Sequence, residues 1–440
     1  MQSATTITNP ALPLEQTDKY APVAKGDKHI WGIYIFLIII SVIELYSASS
    51  REVATAGMGV YGTIVRHGLM LLAGFVIIYY LQRTHYRTIL KFVVPFTFIS
   101  FCMMFYTMLC GEVINGARRS FSIGFISIQP SEFLKISAAM MLAFIMSRNQ
   151  IKGGGVTNFG IKAGALLILI FSGMHAPQGL TNTLLLMSIS MSMMIIGGVP
   201  IRKIGIVLVV YGAFFALYVG YQHMRSSAPS SDGAQIEMVD GEKKSESRLG
   251  VWIARLGSYF GTGKPKYEEE LNSDNRQEML GYMAQAHGGV VGVMPGHSRE
   301  TSRLPLAFTD YIYSIVVEEM GLIGGMFVLV LYLWLLGRAS AIASRCSRAF
   351  PALLVIGMAL VIVFQALFHI CIVTGVIPVS GQPLPLISKG GSSILVTSIA
   401  FGIMLSVSRF AVKTGAKKKE ISQEIDALPE EMRADNPSQL

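Results

Sequence analysis

LPLAFTDYIYSIVVEE, residues 304–319, decides how the chain is read. The stretch is apolar enough to open a membrane helix, yet an aspartate stands near its start and two glutamates close it. On a helix rising 1.5 Å per residue, Glu318 and Glu319 lie about 12 Å beyond Asp310. Charges at that depth in a bilayer are costly, and they persist where they are paired or functional. The rest of the chain has to say which applies.

The 440-residue chain is 52% hydrophobic and 14% charged, with a mean hydropathy of +0.52. Soluble domains carry about 25% charged residues, so this is an integral membrane protein. Its net charge of +9 reads as lysine and arginine in cytoplasmic loops, and no nucleic-acid partner is expected. Cys102, Cys110, Cys346 and Cys371 lie in or beside apolar segments without metal-ligand spacing, as packing residues do. Residues 1–26 lack the apolar core of a signal peptide, so the first span stays in place as an anchor.

Continuously apolar runs occur near 31–48, 65–82, 91–110, 132–147, 161–176, 179–198, 203–222, 310–335, 350–375 and 390–410. They predict an all-α integral membrane protein of about ten transmembrane helices, because membrane strands would alternate in polarity. Arg83, Arg87, Lys91, Arg148, Lys152, Lys162, Arg202, Lys203, Arg338, Arg345 and Arg348 fall on alternate loops, and both basic tails fall on the same side. The positive-inside rule makes that side cytoplasmic, with both termini inside. The expected organisation is a cytoplasmic tail over 1–30, a membrane domain over 31–410 and a cytoplasmic tail over 411–440, unstructured after about 411. A large extracytoplasmic loop, 223–309, joins helices 7 and 8. Within it, 226–247 is polar and reads as disordered. The stretch 248–260 spaces Leu249, Ile253, Leu256 and Phe260 as an interfacial helix does, with Trp252 and Arg255 beside them. Residues 275–287 read as a further helix stopped by Gly288-Gly289.

Polar clusters gather on the outer side of this topology. NGARRSFSIGFISIQPSEFLK, 115–135, offers Arg118 and Arg119, glycine turns at Gly116 and Gly124, and a helix start at Pro130 with Ser131 as cap and Glu132 in the first turn. Lys135 follows one turn later. The loop helix carries Arg276, Gln277, Gln285 and His287. Asp310 forms the third cluster. TGVIPVSGQPLPLISKGGSS, 374–393, sets Lys389 beside Gly390, Gly391, Ser392 and Ser393, in irregular backbone that a membrane tolerates only around a cavity. Each cluster has a plain structural reading. The arginines would meet solvent or lipid headgroups. Lys135 would pair with Glu132, Glu318 or Glu319, the glycines would let helices approach, and Asp310 would cap its own helix. A shared cavity explains them together: cations suit a phosphate or pyrophosphate, and a carboxylate beside them serves as a general base or as a ligand for a divalent cation such as Mg or Mn.

NGARRS…QPSEFLK, TDYIYSIVVEEMGLIG (309–324) and TGVIPVSGQPLPLISKGGSS resemble, in this order, the signatures of the SEDS family (shape, elongation, division and sporulation). The resemblance runs from about Tyr46 to about Arg409 and is nearest the cell-division branch. It implies a peptidoglycan glycosyltransferase that polymerises lipid II, a disaccharide-pentapeptide on undecaprenyl pyrophosphate, at the outer face of the bacterial cytoplasmic membrane. It implies action at the division septum with a class B penicillin-binding protein, a transpeptidase, and other divisome proteins. The family's essential aspartate falls on Asp310, which becomes the expected catalytic base. Arg118, Arg119, Lys135, Gln277, Lys389, Ser392 and Ser393 are the expected substrate-binding residues, and Glu132, Glu318 and Glu319 the structural or pairing ones. No protein metal site is assigned. One carboxylate base and opposite-face attack imply inversion at the anomeric carbon.

The chain departs from the common family pattern at Leu306 and Phe308, where glutamate and histidine are frequent. It departs also at Lys389, His369 and Gln178. Other readings are an elongation-type polymerase, a lipid II flippase, a secondary transporter and a scaffold for the transpeptidase. A flippase needs a polar path through the bilayer. No polar series continues from Glu318, Glu319 and Lys135 to the cytoplasmic side. A transporter would show repeats and a midplane site.

Overall fold

The computed structural model describes residues 26–52, 60–114, 117–123, 126–151, 155–227, 272, 275–304, 307–346 and 348–426. Eleven α-helices are described: α1 Lys28–Glu52, α2 Val60–Leu81, α3 Tyr86–Cys110, α4 Pro130–Arg148, α5 Asn158–His175, α6 Leu180–Ile196, α7 Ile201–Ser227, α8 Arg276–Gly288, α9 Ile312–Ala343, α10 Ala349–Val373 and α11 Gly391–Asp426. A helix covers each of the apolar runs read from the sequence. Among the described residues seven helices are long and apolar enough to cross a membrane, and Val65–Leu81 and Leu180–Ile196 are shorter apolar helices.

The protein is mostly helical rather than all-α. Residues expected as a glycine-turned loop form an antiparallel sheet in the order β1-β2-β3: β1 Glu112–Ile114, β2 Ala117–Ile123 and β3 Ile126–Ile128. The alternation Phe121, Ser122, Ile123 in β2 suits a strand with two unlike faces. Phe121 stacks edge-on against Tyr106 of α3 at 5.6 Å. Gly116 and Gly124 lie outside the described residues. A second correction concerns the C-terminus, where α11 continues to Asp426 instead of giving way to an unstructured tail at 411. The expected interfacial helix at 248–260 and nearly all of the polar stretch 226–247 lie outside the described residues.

The bundle core is formed by α4, α10 and the first half of α11, which are buried on nearly all sides. Helix α4 starts where Pro130 predicts, with Pro at the first helical position. Ser131 does not cap it: Gln129 holds the cap position, and Ser131 is buried inside the first turn.

Helix α9 is interrupted at Gly321, which has φ 72° and ψ −178°. The segment after α8 fills the gap. Val293 and Met294 donate to the carbonyls of Glu318 and Glu319 at 3.0 and 2.9 Å, and Leu322 and Ile323 donate to those of Gly289 and Val290 at 3.0 and 3.3 Å. Hydrogen bonds lost at the break are thus supplied by a neighbouring strand of backbone, as buried peptide groups require. A Cβ at Gly292 or Gly321 would collide with backbone on the opposite side. Gln285 of α8 fastens the same region, donating to Ser314 Oγ at 3.1 Å and to the Val373 carbonyl at 2.9 Å.

Candidate functional site

A cavity of about 550 Å3 lies between α2, β2, the start of α4, the turn before α9 and the segment before α11. Its lining includes Arg66, His67, Arg119, Asp310, Lys389 and Ser392. The size suits a small-molecule site.

Asp310 sits in a turn just before α9, with its carboxylate against the backbone of Gly381. A Cβ on that glycine would stand 2.8 Å from Oδ2. Burial raises the Asp310 carboxyl above the ordinary aspartate value, and the Arg119 guanidinium pulls it partly back. The side chain does not cap α9, whose cap position belongs to Tyr311 without a side-chain bond.

The irregular segment 374–390 is held in place by its own carbonyls. Tyr332 donates to Pro385 at 2.6 Å, Gln365 to Pro383 at 3.2 Å, and the His369 Nδ1–H to Gln382 at 2.6 Å. Ser388 Oγ donates to the Thr309 carbonyl at 2.9 Å, and the Lys389 amide to that of Phe308 at 2.9 Å. These two bonds fix the segment that carries Lys389 against the one that carries Asp310. Ser392 and Ser393 open α11 beside them, and Ser392 Oγ accepts from the Gln129 amide at 3.3 Å.

The structure therefore brings together Asp310, Arg119, Lys389, Ser392 and Ser393, and it places three expected substrate ligands elsewhere. Arg118 is exposed and outside the cavity lining, whereas Arg119 and Ser120, the next residues of β2, both line it. Gln277 is on α8, also outside the lining. Lys135 is fully buried. Its Nζ meets Glu132 Oε1 at 2.8 Å and Gln365 Oε1 at 2.8 Å. Since Gln365 also holds Pro383, the Glu132–Lys135 pair braces the cavity wall from behind.

Glu318 and Glu319 serve the loop between α8 and α9. Glu318 accepts from Ser298 Oγ and from the amides of Arg299 and Glu300 at 2.8 and 3.3 Å. Glu319 accepts from Ser47 Oγ and from the Gly296 amide at 3.2 Å. Arg66 and His67 line the cavity but escaped the sequence reading. Both sit near the N-terminal end of α2, beside an otherwise apolar run, where two polar residues read as a helix boundary. Among the described residues no three His, Cys, Asp or Glu side chains converge as a metal cage. A divalent cation would have to be held by Asp310 together with the phosphates of a bound substrate.

A helical membrane bundle with a cation-lined cavity around one carboxylate defines a polytopic membrane protein with a polar site at one end. The chain belongs to the FtsW/RodA/SpoVE family of cell cycle proteins, whose model matches residues 27–232 and 265–413. It is 28% identical to the probable peptidoglycan glycosyltransferase FtsW of Dichelobacter nodosus, over 87% of this chain and 91% of the relative. It is 28% identical to the stage V sporulation protein E of Bacillus subtilis, over 86% and 96%, and 26% identical to the peptidoglycan glycosyltransferase MrdB of Escherichia coli, over 85% and 91%. Its fold is similar to a chain of a peptidoglycan synthase complex, with TM-score 0.62, 24% identity and coverage of 88% and 98%. It is similar also to the rod shape determining protein RodA of Thermus thermophilus, with TM-score 0.59, 22% identity and coverage of 87% and 97%.

Proposed function

We propose that the chain is a peptidoglycan glycosyltransferase that polymerises lipid II at the outer face of the bacterial cytoplasmic membrane. The observation that carries this reading is the placement of Asp310 in one cavity with Arg119 and Lys389. The names of two relatives support the activity. The 4-hydroxyl of an acceptor sugar approaches Asp310, whose carboxylate takes its proton as the oxygen attacks the anomeric carbon of the donor. The C–O bond to lipid pyrophosphate breaks on the opposite face, giving inversion without a covalent glycosyl-enzyme. A positioned base of this kind contributes about 10²- to 10⁴-fold. Arg119 and Lys389 face the leaving pyrophosphate and stabilise its charge, with Arg66 at the exposed edge. Where a divalent cation takes part, it adds Lewis-acid neutralisation of the same phosphates.

In this reading the chain crosses the membrane ten times with both termini inside and the cavity outside; the helices at each of the apolar runs support it, seven of them long and apolar enough to span among the described residues. The partner is a class B penicillin-binding protein, a reading supported by the likeness to a chain of a peptidoglycan synthase complex. The cellular role is septal, on the strength of relatives named FtsW. The relative named MrdB favours an elongation role as the second reading.

The decisive experiment is lipid II polymerisation in liposomes by wild type and Asp310→Asn, each with and without a cognate class B penicillin-binding protein. Glycan strands from wild type alone support both the activity and the base. Strands from both proteins remove Asp310 as base. Strands from neither, with lipid II movement across the bilayer, give the flippase reading. Polymerisation unchanged by chelators sinks the metal variant.

A further inference from the structure

We propose that His67 is a specificity-determining residue of this cavity, its Nδ1 accepting a hydrogen bond from an O–H or N–H of the bound sugar. The proposal rests on the polymerase reading and adds a substrate contact to it. His67 is 5% exposed, on α2, yet it lines the cavity beside Lys389. Its Nε2 lies 2.9 Å from Ser41 Oγ of α1. The Ser41 hydroxyl donates its one proton to the Ile387 carbonyl at 3.4 Å. With that proton on the carbonyl the hydroxyl accepts from the ring, and the proposal assigns the imidazole proton to Nε2 with Nδ1 as the acceptor, the tautomer that the spectrum below tests.

The chemistry of the remaining walls gives this acceptor its meaning. Arg66, Arg119 and Lys389 carry donors alone on their side chains. They answer phosphate oxygens, while the hydroxyls of Ser120, Ser127, Thr309, Ser392 and Ser393 and the Gln129 amide on the same walls both donate and accept, so His67 Nδ1 is the neutral side-chain acceptor that brings no competing donor of its own. Asp310 is committed to the attacking hydroxyl. An unmet donor in a filled, water-excluded cavity is penalised, so a neutral acceptor near the cations selects a ligand carrying both phosphate and sugar donors. Ile387 belongs to the same irregular segment as Lys389. The Ser41 bond thus ties the orientation of the ring to the wall that holds the lysine.

The test uses full-length protein in nanodiscs together with its cognate class B penicillin-binding protein, with lipid II as the probe. His67→Gln retains an amide N–H for Ser41 and removes Nδ1. It is expected to raise KM for lipid II about 3- to 10-fold with kcat held within about two-fold, and Ser41→Ala to give a smaller rise in the same direction. In 15N-histidine spectra, the signal absent from His67→Gln should report an unprotonated Nδ1 that shifts when lipid II is added. An unchanged KM, a fall in kcat alone, or a protonated Nδ1 overturns the proposal. If wild type makes no glycan, the polymerase reading fails by itself. The spectrum then decides for His67: a shift with lipid II retains the contact and its absence removes it.

Discussion

Asp310 carries two opposed demands. In the proposed role of base it has to be ionised, and burial disfavours that form. A carboxyl whose folded value is raised leaves stability untouched below its unfolded value and lowers it once both states ionise, above the folded value. Asp310→Asn should therefore raise the melting temperature in detergent at pH 7 to 8 while abolishing polymerisation, and a lower melting temperature would sink this account. The polymerisation rate should rise with pH through a point above the ordinary aspartate value and then level, read from a pH series with the Asn variant as baseline. Gly381→Ala tests placement without removing charge. The added methyl meets Oδ2, and a displaced base should cost about 10- to 100-fold in kcat with little change in melting temperature. Asp310 stood out in the sequence as a carboxylate at the mouth of an apolar run, where capping its own helix was an equal reading; the family resemblance pointed to it as base, and the structure removes the cap. Arg119 was legible only as one of a pair, since the choice between it and Arg118 needs the strand that neither glycines nor charges announced.

At the scale of elements, the break in α9 is the feature that the sequence conceals. The run Met320–Gly325 is apolar and glycine-containing, which fits an unbroken membrane helix as well as an interrupted one. Only the backbone of 289–294, about thirty residues earlier in the chain, shows why Gly321 leaves the helix. Gly321→Ala should lower stability by about 2–4 kcal/mol, through its positive φ and the collision with the Val290 carbonyl. Gly337→Ala, where an added Cβ meets nothing within 4 Å, should be neutral or slightly stabilising in the same unfolding series. Lys135 gives the second case. Sequence spacing offered Glu132 as one partner among three, and the structure selects it by the one-turn separation. Lys135→Met alone leaves a buried carboxylate uncompensated and should cost about 3–5 kcal/mol, and Glu132→Leu/Lys135→Met should recover most of it. Equal losses in the single and double variants would contradict the bracing role.

At the scale of the whole molecule, the proposed chemistry depends on which face carries the cavity. The sheet, α8, the loop that fills the α9 break and Asp310 all gather at one end. At the other end Arg338, late in α9, pairs with Asp27 before α1, and Arg409 of α11 donates to the Gln82 carbonyl at 3.1 Å. That second end also holds Arg83, Arg87 and Arg345, in the loops that the positive-inside rule would make cytoplasmic. The division was readable beforehand because positive charge is counted loop by loop and needs no tertiary information. The ends of the bundle could be sorted before any side chain was placed. The consequence is a labelling pattern. In a variant with Cys102, Cys110, Cys346 and Cys371 replaced by serine or alanine, Val291→Cys, which is 71% exposed in the wild type, should react with a membrane-impermeant maleimide on intact spheroplasts. Arg345→Cys should react only after permeabilisation. The reverse pattern would put Asp310 in the cytoplasm, where its acceptor hydroxyl could not belong to a glycan strand growing outside the membrane. Orientation is therefore the one property of the whole fold on which the chemistry at Asp310 depends.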